Sequence, residues 1–176
     1  MRDLPPPVFL LLALAIVAAF VIGKRIEGSR NSDWQEAALR VQGRFRSPFP
    51  VAELAVWGPA PWTAWAADGE LQVPRAIEAR SAQPPFALLQ IRYSVRERRG
   101  EEHPDTWYEV SVATVTMPQA TPAHELVPVA DGDYAGAHNG RTLFLWKKGK
   151  PGAGATLPAT ALPDLLRHAR ALALRR

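Results

Sequence analysis

From Val8 to Ile22 no residue carries a polar side chain: eleven are Val, Leu, Ile or Phe and four are Ala. No other feature constrains this chain as strongly. The charge-free stretch around it, Leu4 to Gly23, is 20 residues long. At about 1.5 Å per helical residue it reaches roughly 30 Å, the hydrocarbon thickness of a bilayer. Pro5, Pro6 and Pro7 stand at its start, where a helix has no use for their missing N–H groups. Gly23, Lys24 and Arg25 mark the far interface. A core helix of a soluble protein would carry a polar face, and none is present. A cleaved secretory leader is the other alternative, with Arg2 as its charged start and Val17-Ala18-Ala19 as a small-residue cleavage site. Strong apolar residues nevertheless continue past that site through Phe20, Val21 and Ile22. The pattern predicts an uncleaved transmembrane anchor over residues 1–23.

The basic residues Lys24, Arg25, Arg30 and Arg40 follow the span closely, whereas only Arg2 precedes it. Cationic flanks are retained on the cytoplasmic side, so this asymmetry predicts an inner-membrane, single-pass protein with its C-terminal domain in the cytoplasm. The rest of the 176 residues suffices for one domain with its own core. There is no cysteine, which excludes disulfides, thiolate zinc sites, iron–sulfur clusters and cysteine nucleophiles. The net charge of +4 comes from scattered arginines rather than from a basic block.

Beyond the span, Asn31-Ser32-Asp33-Trp34-Gln35 has the pattern of a helix start, with Ser32 as cap and Gln35 completing a capping box. Trp34, Ala37, Ala38 and Val41 recur on one face, and Gly43 is a natural stop. This predicts a short, separate helix within a juxtamembrane segment, 24–46. Residues 47–176 are expected to form an antiparallel β-rich domain. Its first part, Gly43 to Trp65, is rich in proline and holds Trp57, Trp62 and Trp65. Three readings are open for these tryptophans: core residues of the domain, an interfacial aromatic surface lying on lipid beside Arg44 and Arg46, or a proline-and-aromatic groove for a partner peptide.

The clearest periodicity is at Phe86–Met117. Leu89, Ile91, Tyr93 and Val95 alternate with Gln90, Arg92, Ser94 and Arg96, and Tyr108 to Thr116 continues the period in a second strand. Alternation of this kind predicts a half-buried hairpin, apolar on one face and wet on the other, with a charged tip. A second hairpin is expected around Asn139-Gly140, the strongest signal for a type I′ turn. Glu70–Ile77 and Leu126–Val129 are further strand candidates. Leu162, Leu165, Leu166, Ala169 and Leu172 share one face of a final helix expected to pack on the sheet. The predicted class is α+β: a single transmembrane helix, then a small antiparallel-sheet domain with a short juxtamembrane helix and a C-terminal helix closing the sheet.

No catalytic, cofactor-binding or metal motif survives scrutiny. In GKPGAGAT, Gly149 to Thr156, Ala155 follows the last glycine where a phosphate loop needs lysine. In HELVP, His124 to Pro128, proline stands where a zinc-protease helix needs its second histidine. The histidines at 103, 124, 138 and 168 lack ligand spacing, and no serine lies in a Gly-x-Ser-x-Gly elbow. Ser94 and Ser111 are expected to face outward from their strands. Asp131-Gly132-Asp133 is turn chemistry without the downstream ligands of a calcium loop. Nucleic acid is not an expected partner, because Glu97, Glu101, Glu102 and Asp105 offset Arg92, Arg96, Arg98 and Arg99.

The residues thus imply a membrane-tethered, non-enzymatic binding or assembly module of a bacterial envelope or inner-membrane complex. Its expected partners are the lipid bilayer and a membrane or envelope protein. The candidate partner-binding residues are Arg96, Arg98, Arg99, Glu101 and Glu102 at the hairpin tip; the candidate interfacial ones are Trp57, Trp62 and Trp65. A peripheral lipid-contacting domain is one alternative. An enzyme with an unrecognised site is another, and it would need a pocket joining His138 with Asp131 or Glu125.

Overall fold

The computed structural model of the chain describes residues 6–66, 69–95, 106–119, 125–149 and 156–175. Its first element is one unbroken helix, α1, Pro6–Val41, of 36 residues. The separate juxtamembrane helix expected from the capping signals is therefore the last part of this longer one. Ser32 lies in its interior and caps nothing. After the opening prolines nothing forbids helix until Pro48, and an interior glycine such as Gly28 costs only about 1 kcal/mol. Val8 to Arg30 is exposed along its whole length, and none of its apolar window is buried in the protein. Only the far end of α1 docks. Trp34, Ala37 and Ala38 are buried, at the three- and four-residue spacing that gives a helix one apolar stripe.

The body is a seven-stranded antiparallel sheet of spatial order β1-β2-β3-β4-β7-β6-β5. The strands are β1 (Arg44–Arg46), β2 (Leu71–Ala79), β3 (Phe86–Val95), β4 (Thr106–Thr116), β5 (Val127–Asp131), β6 (Tyr134–His138) and β7 (Thr142–Lys147). Two meanders, β1 to β4 and β5 to β7, join where β7 lies against β4. β1 already belongs to the sheet, so the body begins inside the segment assigned from sequence to the juxtamembrane stretch. Pro74 sits at an irregularity of the β2–β3 ladder between Gln72 and Arg75, where a residue without an N–H is tolerated.

Both faces of the sheet are covered. On one lie the end of α1 and the C-terminal helix α3, Leu162–Leu174, whose Leu162, Leu165, Leu166, Ala169 and Ala173 pack on Phe86, Leu88, Ala113 and Val115. On the other lies the proline-rich crossover between β1 and β2. It contains a 3₁₀ segment, Val51–Trp57, and a one-turn helix α2, Pro61–Trp65. Phe49, Leu54, Trp57 and Trp62 pack there on Leu89, Ile91, Val112 and Phe144. The half-buried hairpin read from alternation is thus buried on both sides. Gln90 is only 5% exposed, and Ser94 and Ser111 are wholly enclosed rather than outward-facing. Their hydroxyls accept the N–H groups of Glu70 and Leu157 at 2.9 and 3.0 Å, so each serine ties a connecting segment to the sheet.

The Asn139-Gly140 hairpin forms where expected but is built differently. Gly140 takes φ +78° while Asn139 stays out of the left-handed region, so the turn is not type I′. Asn139 Oδ1 instead accepts the N–H groups of Arg141 and Thr142, at 3.0 and 2.8 Å. Its amide donates to the carbonyls of Trp57 and Pro59, each at 2.9 Å. One turn residue therefore pins the crossover onto the sheet. In β6, Gly136 approaches β7 closely: a Cβ there would stand 2.5 Å from the carbonyl oxygen of Phe144.

Candidate functional site

On the helix-covered face, the inward residues of the central hairpin change character along the strands. In β3 the series runs Phe86, Leu88, then Gln90, Arg92. In β4 it runs Val115, Ala113, then Ser111, Glu109. The apolar end lies under α1 and α3. At the polar end the sheet no longer has a tight roof, because α1 continues towards its exposed apolar half. A cleft of about 400 Å³ opens there between α1, the sheet and the segment Thr156–Ala159. A second hollow of about 230 Å³ shares Arg30, Arg75 and Glu109 with it and extends along α1 to Gly23. Thr156 fastens one wall by donating its hydroxyl to the Glu109 carbonyl at 2.9 Å.

Arg75 forms the floor. It is 5% exposed and follows the Pro74 irregularity, which turns it to the α1 side opposite Gln90. Its Nε donates to Asn31 Oδ1 and its Nη1 to Gln90 Oε1, both at 2.7 Å. A guanidinium has five N–H donors, so three remain. Among the described residues no carboxylate comes within ion-pair distance of Arg75 or of Arg30. Burial lowers the pKa of Arg75, and the neighbouring positive charge of Arg30 lowers it further, while Glu27 and Glu109 act more weakly in the opposite sense. An arginine stays charged despite such a shift. The cleft therefore holds two cations that repel each other across a partly dried space. Arg92, on the rim, lies over the Trp107 ring at 4.7 Å.

A second charged group belongs to the opposite face of the sheet, under the crossover, and is already satisfied. Arg46 clasps Glu53 with two bonds of 2.7 Å, and Glu78 and Arg80 complete a closed set of four. The Arg46 guanidinium holds the Glu53 carboxyl well below its ordinary range, at about 2. This group anchors the crossover to β1 and β2.

The candidates read from sequence are distributed as follows. Arg96, Arg98, Arg99, Glu101 and Glu102 lie outside the described residues. Trp57 and Trp62 are buried in the core at 6% and 3% exposure, so they present no ring to lipid, and Trp65 is half-buried. Trp62 meets Phe144 edge-on at 5.2 Å, and Trp65 contacts both Tyr93 and Trp146. Their core role follows from the burial of the crossover face. His138 stands opposite Val127 and Asp131 opposite Tyr134, at the two ends of one ladder, so these two do not meet in a pocket. Among the described residues no three His, Cys, Asp or Glu side chains gather as metal ligands.

Nothing in the sequence marks Arg30, Arg75 and Arg92 as one site. The signals were weak: a proline just before an arginine in a strand, and an asparagine on the opposing helix 44 residues away. Comparison with known protein families, with curated proteins and with solved structures finds no match, so the function rests on the geometry of this chain itself.

Proposed function

We propose that the chain is a membrane-tethered binding or assembly module without catalytic activity, serving an inner-membrane or envelope complex with its body on the cytoplasmic side. The observation that carries this reading is α1: a bare, apolar, bilayer-length half continuous with a half docked in the core. A soluble protein gains nothing from leaving Val8 to Ile26 exposed, whereas a bilayer covers them. The absence of breaks between the two halves supports a body held at the lipid surface rather than on a slack leash. Such a tether raises the local concentration of a domain near membrane partners and needs no active site. The cationic residues after the span support the cytoplasmic side.

Alkaline extraction of membranes from expressing cells, followed by mass measurement of the protein, tests the tether. The expected result is a full-length chain that resists extraction. A soluble product beginning near Phe20 would overturn it. Protease protection in spheroplasts reports the side, and co-purification with the span intact identifies the membrane or envelope partner. Steady turnover of a small molecule by the purified chain would replace the binding reading with an enzymatic one.

A further inference from the structure

We propose that the cleft clamps a phosphate group between Arg30 and Arg75, presented to it at the level of the lipid headgroups. This rests on the tether reading for its location, but the clamp itself rests on side chains. Arg75 is oriented by Asn31 and Gln90 before any ligand arrives, and its remaining donors have no carboxylate partner among the described residues. A planar guanidinium fixed in this way suits bidentate contact with a phosphate. Arg30 supplies a second cation across the same cleft, and an oxyanion between the two relieves their repulsion.

Position supports the same ligand. Arg30 lies seven residues beyond Gly23, about 10 Å along the helix. The headgroup layer extends roughly 5–8 Å past the hydrocarbon on each side. The hollow running from Arg75 back to Gly23 therefore spans the zone in which lipid phosphates lie. Arg92 stacked on Trp107 at the same rim is the cation and aromatic pairing favoured at an interface. Glu27, Asp33 and Glu109 also line these walls. They leave the cleft close to neutral, so binding depends on two placed guanidiniums and not on a general positive field. Another arginine-lined hollow, with Arg40, Arg167 and Arg170, is a poorer candidate. Arg40 and Arg167 are already paired with Glu36 and Asp164. It also lies about 25 Å up the helix from Gly23.

The test uses the full chain in neutral detergent, with native mass spectrometry reading phosphatidylglycerol adducts and, separately, inorganic phosphate competing for them. Wild type should retain lipid. Arg75→Gln and Arg30→Gln should each weaken retention about ten- to hundredfold, as expected for loss of a charged hydrogen-bonding partner. Arg75→Lys should recover only part, because it keeps the charge and loses the fork. Arg40→Gln should bind as wild type. Arg30 is exposed, so its variant should fold even if Arg75→Gln does not. Displacement of lipid by inorganic phosphate at comparable concentration assigns the clamp to free phosphate, and resistance to it assigns the clamp to lipid. Unchanged retention in Arg30→Gln, or an equal loss in Arg40→Gln, overturns the clamp. Either result leaves the tether standing if the chain still resists alkaline extraction.

Discussion

The two faces of the sheet are closed by different means. One roof is regular helix, the end of α1 and all of α3, whose backbone hydrogen bonds are internal. The other is an irregular crossover with prolines at 48, 50, 59 and 61, which cannot supply its own ladder. The helical roof packs chiefly through apolar side chains, with Asn31 of α1 accepting from Arg75 at its border. The irregular roof also needs polar pins: Asn139 on the carbonyls of Trp57 and Pro59, and the Arg46–Glu53 clasp. A buried carbonyl without a partner costs about 1–3 kcal/mol, so these pins decide whether the crossover can lie on the sheet at all. The difference teaches that large aromatic residues can do the work of a helix, provided something else satisfies their backbone.

Four perturbations would sharpen or break this contrast, each read by unfolding of the full chain in detergent. Trp62→Ala should have the largest effect, about 3–5 kcal/mol, because it empties the centre of the irregular roof against Phe144. Leu165→Ala should cost about 2–4 kcal/mol on the helical side. A Trp62 effect below 1 kcal/mol would mean that the crossover is not part of the core. Asn139→Ala should cost about 2 kcal/mol, and hydrogen exchange should rise in 51–66 and not in 162–174. Equal exchange in both roofs would show that the pin does not act on one face.

The smallest effect is on pH dependence. The Glu53 carboxyl titrates at about 2 in the folded chain against an ordinary 4.5, because Arg46 stabilises its charged form. Its contribution is complete above the ordinary value and fades as pH falls from there towards about 2. Glu53→Gln should flatten the stability profile in that window while leaving it unchanged near neutrality in slope. A profile equally steep in the variant would remove Glu53 from the account.

Much of the architecture was legible from local pattern. The alternation at Leu89 to Val95, the stripe at Leu162 to Leu172 and the apolar run at Val8 to Ile22 each express one period of one element. What was not legible depended on neighbours distant in sequence. Gln90, Ser94 and Ser111 have the pattern of a wet face, because polarity alone does not tell exposure from a buried partner; Arg75, Glu70 and Leu157 provide their partners. Asn31 and Ser32 looked like a helix start because capping residues resemble ordinary interior ones when the preceding chain is already helical. The cleft was the least legible feature, since Arg30, Arg75 and Arg92 come from three separate elements and meet only through the β2 irregularity.

The unbroken α1 also sets a bearing. Each helical residue turns the chain by about 100° and lifts it by 1.5 Å. One residue inserted between Arg25 and Asn31 would swing the whole body to another compass point around the stalk and point the cleft elsewhere. Seven residues, close to two full turns, would nearly restore the heading at a greater height. Which neighbour in the membrane the sheet confronts is thus written into the helix as an angle, much as a key's cut matters only at one rotation of the barrel.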